Sequence, residues 1–198
     1  VASIEALPLQ MRQVLEDSLL IKIPREYGKA NHIVINGMGG SNLGAGIVKA
    51  VFSSELKVPI TITPGYEVPA FVDKNTLFVL SSYSGNTEET LSVYKEVKKR
   101  GAKIMAIVGA LGGRLEKLMI KENIPGYIFN PKNNSSNSPR LGIGYAVFGL
   151  AVLLAKAGML VLKIKELERN IQDLEIWNHE LRPEEKTYLN IAKQIALQ

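Results

Sequence analysis

Short apolar runs alternating with stretches of helical periodicity set the rhythm of this chain. Residues 32–35, His-Ile-Val-Ile, form a β-branched run that closes in Asn-Gly-Met-Gly-Gly-Ser, which reads as a buried strand and a tight turn. Further strands are predicted at 59–63, 76–81, 103–108 and 127–129. Between them, residues 43–52, 88–100 and 114–121 carry a helical pattern, and an amphipathic helix over 8–21 puts Met11, Val14, Leu15 and Leu19 on one side. Strands alternating with helices on short connections imply a parallel sheet covered on both faces. With right-handed crossovers the expected fold is α/β: a doubly wound, three-layer αβα sandwich on a five-stranded parallel sheet.

The later part of the chain departs from that rhythm. Residues 143–162 are apolar apart from Lys156 and glycines, a length that approaches a membrane span. Pro139 and Arg140 precede the stretch and Lys156 interrupts it, so a helix buried between the sheet and a partner is expected and no membrane association. Beyond Leu162 the chain is rich in charge and patterns as two helices without strands. The expected organisation is a sheet domain over 1–160 and a helical tail over 161–198.

Composition narrows the function classes. Hydrophobic content of 46% and charged content of 22% are ordinary for a soluble protein, and 198 residues suffice for one full core plus an appendage. A net charge of +5 suits anionic ligands. The basic residues do not gather with aromatics into a stripe, so no nucleic acid partner is expected. The absence of cysteine excludes disulfides, thiolate catalysis and cysteine-based metal sites, and two histidines are too few for a typical zinc site. No signal peptide pattern is visible, and a cytoplasmic location is expected.

The chemistry concentrates in three loops at predicted strand ends, where parallel sheets bind ligands. Residues 81–90, Ser-Ser-Tyr-Ser-Gly-Asn-Thr-Glu-Glu-Thr, lead from a strand into a helix N-terminus. Ser82, Ser84 and Thr87 supply hydroxyls, Gly85 a permissive backbone, and the new helix its free amides and positive dipole end, together a fit for phosphate. Helix capping alone calls for one such residue, and this loop supplies several. Residues 37–41, Gly-Met-Gly-Gly-Ser, let amides approach an anion and add Ser41, although a plain strand-to-helix turn explains that loop equally when taken alone. A long polar loop over 130–139 ends at Arg140, a guanidinium that either faces solvent or opposes an oxyanion.

Together, Gly-Met-Gly-Gly-Ser (37–41), Ser-Tyr-Ser-Gly-Asn-Thr-Glu-Glu-Thr (82–90) and Ser-Pro-Arg-Leu-Gly-Ile-Gly-Tyr (138–145) resemble the sugar isomerase (SIS) domain, in particular the N-terminal SIS domain of bifunctional phosphoglucose/phosphomannose isomerases. The resemblance runs from about His32 to Met159. It implies that Gly40, Ser41, Ser82, Ser84 and Thr87 hold the phosphate of a hexose 6-phosphate and that Arg140 steadies an enediolate. The implied activity is aldose–ketose isomerisation between glucose or mannose 6-phosphate and fructose 6-phosphate through a cis-enediol, with no metal or redox cofactor.

In that family a second SIS domain supplies the catalytic glutamate. The expectation is therefore a binding half without its base, with residues 190–196 resembling the opening helix of the next domain. Glu67, Glu88 and Glu89 lie near predicted loops, but none is assigned as base, and His179 is expected at the surface. Two other readings stay open: a sugar-phosphate sensor without turnover, and a single-domain phosphoheptose isomerase, whose later histidine motifs are not visible. A homodimer through the apolar stretch 145–162 is expected, as SIS domains associate through helices beside the sheet.

Overall fold

A computed structural model describes residues 2–197. The chain opens with α1 (Ala2–Glu5) and α2 (Leu7–Asp17), then alternates β1 (His32–Gly37), α3 (Gly39–Val51), β2 (Ile60–Ile62), β3 (Thr76–Ser82), α4 (Glu88–Lys99), β4 (Lys103–Gly109), α5 (Arg114–Glu122) and β5 (Gly126–Phe129). It ends with α6 (Ile143–Lys156), α7 (Ile164–Glu180) and α8 (Ile191–Ala196). A one-turn 3-10 element, Pro139–Leu141, leads into α6 and carries Arg140.

All five strands are parallel, in the order β2-β1-β3-β4-β5. Side chains alternate faces along a strand, and both faces are apolar here because both are covered. Ile33, Ile35, Leu77, Val79, Met105, Ile107, Tyr127 and Phe129 join the core shared with α2, α3 and α6. Val34, Phe78, Leu80, Ile104, Ala106 and Val108 pack with Val93, Tyr94 and Val97 of α4 and Leu115 and Met119 of α5. The result is the expected doubly wound αβα sandwich, followed by helices only.

Three helix boundaries lie well away from the sequence expectation, the rest shifting by a residue or two. The first helix ends at Asp17, and Leu19, assigned to its apolar side, is 82% exposed in the turn beyond it. Helix α3 starts at Gly39 and not at 43, so the glycine turn is itself the first helical turn. Helix α6 stops at Lys156, because Gly158 takes φ +77° just past its end and the chain leaves the helix there. No described helix is long and apolar enough to cross a membrane. Tyr145 and Leu150 to Leu154 are buried within this chain, leaving Val147 and Phe148 partly covered.

The helical tail is not detached. Helix α7 lies against α2, with Ile171 fully buried. Arg12 donates to both carboxylate oxygens of Glu175 at 2.7 and 2.6 Å. Both side chains are about two-fifths exposed, so the pair orients α7 and adds little stability.

Candidate functional site

Strands β1 and β3 are neighbours whose onward connections run in opposite directions, β1 to the edge strand β2 and β3 to β4. A crevice opens where the winding reverses, beyond the carboxyl ends of the two strands. The β1–α3 and β3–α4 loops both emerge there. Gly37 pairs with Ser81 in the sheet, so the two loops start level with each other.

The β3–α4 loop is built from inside. Ser82, the last residue of β3, is buried and its Oγ accepts the Gly85 N–H at 3.0 Å. The same oxygen lies 2.7 Å from Thr87 Oγ1. Gly85 has φ +69°, a backbone state that side chains resist, and it presses against Gly113. Thr87 is the N-cap residue of α4, yet its side chain makes no capping hydrogen bond. The N-cap of α3, Met38, makes none either. Two helix N-termini thus present their first amides without side-chain partners, and both face the crevice.

The third loop closes the crevice from the side. Asn134 is buried, and its Nδ2 donates to Tyr83 Oη at 2.7 Å and to the Ser138 carbonyl at 2.8 Å. One side chain therefore ties the Arg140 loop to the β3–α4 loop. Tyr83 stands edge-on to Phe129, with ring centroids 5.5 Å apart, and Phe129 stacks on Tyr145. Burial keeps the Tyr83 phenol above its ordinary range, with Asn134 opposing that shift. Backbone approaches are close: a Cβ on Gly40 would lie 2.9 Å from the Pro139 carbonyl oxygen, and one on Gly142 would run into the Tyr83 ring.

Gly40, Ser41, Ser84, Thr87 and Arg140 line one cleft of about 410 Å³, completed by Met38, Gly39, Tyr83, Ser138 and Pro139. Ser82 is not in the lining but holds the loop from beneath. The lining offers hydroxyls, helix amides and one guanidinium, a donor set for an oxyanion and above all for a phosphate. It holds no carboxylate or imidazole among the described residues; Glu88 is exposed in the first turn of α4, and His179 lies far along the chain, exposed on α7.

Residues 26–120 match the SIS domain family. The chain carries a SIS domain. It is 33% identical over 195 residues to the bifunctional phosphoglucose/phosphomannose isomerase of Caldicellulosiruptor bescii, covering 98% of this chain and 56% of the relative. A protein of the same name from Thermoplasma acidophilum is 41% identical over 134 residues, covering 67% of this chain and 39% of the relative. The chain spans about half the length of the curated relatives it matches. In fold it is similar to the C-terminal domain of glucosamine-fructose-6-phosphate aminotransferase from Francisella tularensis, with TM-score 0.58 and 19% identity over 89% of this chain and 53% of that one.

Motif reading missed Tyr83 and Asn134, which join two loops, and Met38, which reaches the cleft from the cap of α3. Tyr83 had a usable signal. An aromatic ring inside a hydroxyl-rich loop has to be buried somewhere, and its hydroxyl then needs a partner.

Proposed function

We propose that this SIS domain binds a hexose 6-phosphate and serves the isomerisation of glucose or mannose 6-phosphate to fructose 6-phosphate. The observation that carries the proposal is the convergence of two helix N-termini without side-chain caps on one cleft ringed by hydroxyls and Arg140. The names of the relatives support the hexose phosphate; the cleft supports the phosphate end of it. In this reading the phosphate rests on Gly40, Ser41, Ser84 and Thr87, and the sugar carbons extend toward Arg140.

Isomerisation moves a proton between adjacent carbons. The C2–H bond of the open-chain aldose breaks toward a base, and a cis-enediolate forms whose negative oxygen lies against the Arg140 guanidinium. The hydroxyl proton passes from the C2 oxygen to the C1 oxygen and the abstracted proton returns at C1, which leaves the C2 oxygen as the carbonyl and the C1 oxygen as the hydroxyl, with no net oxidation. The proton acceptor enters from outside the lining residues. That same lack of a carboxylate in the lining favours a second reading, a sugar-phosphate sensor.

Calorimetric titration with fructose 6-phosphate, against inorganic phosphate, tests the site. Tighter binding of the sugar phosphate is expected, and binding of neither ligand overturns the proposal. Formation of glucose 6-phosphate by the purified chain dismisses the sensor. Self-association is proposed through the apolar stretch 145–162, where Val147 and Phe148 are only partly covered and Val161 is exposed, and light scattering measures it.

A further inference from the structure

Arg140 stands on an exposed turn, yet the backbone on both sides of it is held from beneath by one buried amide. Gln10 of α2 is 0% exposed. Its Nε2 donates to the Asn133 carbonyl at 3.0 Å and to the Leu141 carbonyl at 2.8 Å. Its Oε1 accepts the Gly144 N–H at 3.0 Å. These three partners lie in the polar loop, directly after Arg140, and in the first turn of α6. The approach is tight, since a Cβ on Gly144 would lie 2.7 Å from Gln10 Cβ.

Gln13, one turn along and 4% exposed, repeats the device. It donates to the Asn130 carbonyl at 2.8 Å and accepts from Tyr145 Oη at 2.7 Å. Burying an amide is unfavourable unless its polar atoms are partnered, and an apolar side chain would fill a helix–helix seam without that demand. What the amide adds at position 10 is a fixed height for the segment from 133 to 144. That height sets where the Arg140 guanidinium reaches. Gln10 itself makes no hydrogen bond to residues 37–41 or 82–87, so its direct hold is on the Arg140 segment and not on the phosphate loops.

We propose that Gln10 is a positioning residue for Arg140, holding the guanidinium at the separation from the phosphate loop that a sugar phosphate spans. The inference rests on the cleft being a hexose 6-phosphate site. The test is calorimetry of the wild type, Gln10→Leu, Arg140→Ala and the double variant, each titrated with inorganic phosphate and with fructose 6-phosphate. Gln10→Leu is expected to weaken fructose 6-phosphate binding about tenfold with phosphate affinity unchanged. In the Arg140→Ala background it is expected to add no further loss, the signature of action through Arg140. Gln10→Met, closer in shape, replaces Gln10→Leu if the latter does not fold.

Equal losses for both ligands, or a full extra loss in the Arg140→Ala background, assign Gln10 to general fold stability and overturn the proposal. A wild type that binds neither ligand removes the cleft reading itself and the inference with it, a failure visible before any variant is made.

Discussion

Ser82 and Thr87 meet across the β3–α4 turn with their hydroxyl oxygens 2.7 Å apart. Thr87 stands at the N-cap of α4 but turns its hydroxyl inward, away from the helix amides it is placed to cap. Ser82→Ala frees Thr87 to cap the helix in the ordinary way and leaves the buried Gly85 N–H without its acceptor. The expected result is a stability loss of about 1–3 kcal/mol together with weaker phosphate binding. Urea unfolding and phosphate titration measure the two effects, and unchanged phosphate affinity would remove Ser82 from the site.

Ser84 separates binding from folding. It lines the cleft, is only partly buried, and its hydroxyl accepts a single exposed hydrogen bond, from the Asn86 N–H at 3.2 Å. Ser84→Ala is expected to leave the unfolding midpoint in place and to weaken fructose 6-phosphate binding by about 1–3 kcal/mol, the range for losing one partner of a desolvated polar group. An affinity equal to that of the wild type counts against the phosphate loop.

Gly40 reports on how the first and third loops fit together. A methyl group there would lie 2.9 Å from the Pro139 carbonyl oxygen, which belongs to the backbone beside Arg140. Gly40→Ala therefore has to push the Arg140 turn outward. The expected cost is about 1–3 kcal/mol of stability, as for other overpacked sites. A larger loss of affinity for fructose 6-phosphate than for inorganic phosphate is expected too. Titration with both ligands checks it, and equal affinities for the variant and the wild type would mean that the two loops do not move as one.

These predictions draw unequally on what the sequence made legible. The strands were readable because a sheet covered on both faces needs apolar residues at every position, as in Leu77 to Leu80. The loop motifs were readable because glycines and hydroxyls at strand ends are informative by type. Roles within the loop were not: Ser82, Ser84 and Thr87 looked equivalent, and only the strand pleat puts Ser82 beneath the loop. Gln10 and Gln13 were overlooked for a related reason. Polar residues on an amphipathic helix are assigned to solvent, whereas these two share the buried face with Met11 and Val14. Apart from the long contact of Gln13 with Asp17, their partners come from residues 130–145, more than a hundred positions away, and spacing along α2 carries no trace of them.

The tyrosines whose hydroxyls are drawn out of water predict how the fold responds to alkali. Tyr27, Tyr83, Tyr127 and Tyr145 are all held above the ordinary phenol range, with burial the largest cause in each. Tyr127 is shifted furthest, because its hydroxyl also donates to the Asp17 carboxylate at 2.6 Å. A raised folded-state value means that the stabilisation is complete below the unfolded-state value, about 10, and is lost as pH rises above it. Over that range the unfolded chain has released a proton that the native chain keeps. Stability then falls by about 1.4 kcal/mol per pH unit for a tyrosine shifted as far as Tyr127. Urea unfolding between about pH 9.5 and 11.5 measures the slope around that unfolded value. Tyr127→Phe is expected to lower stability at neutral pH, since Asp17 keeps only the long 3.4 Å bond from Gln13, and to make the alkaline slope shallower. A variant as steep as the wild type would mean that the Tyr127 phenol ionises freely in the folded protein and that its bond to Asp17 does not hold the proton.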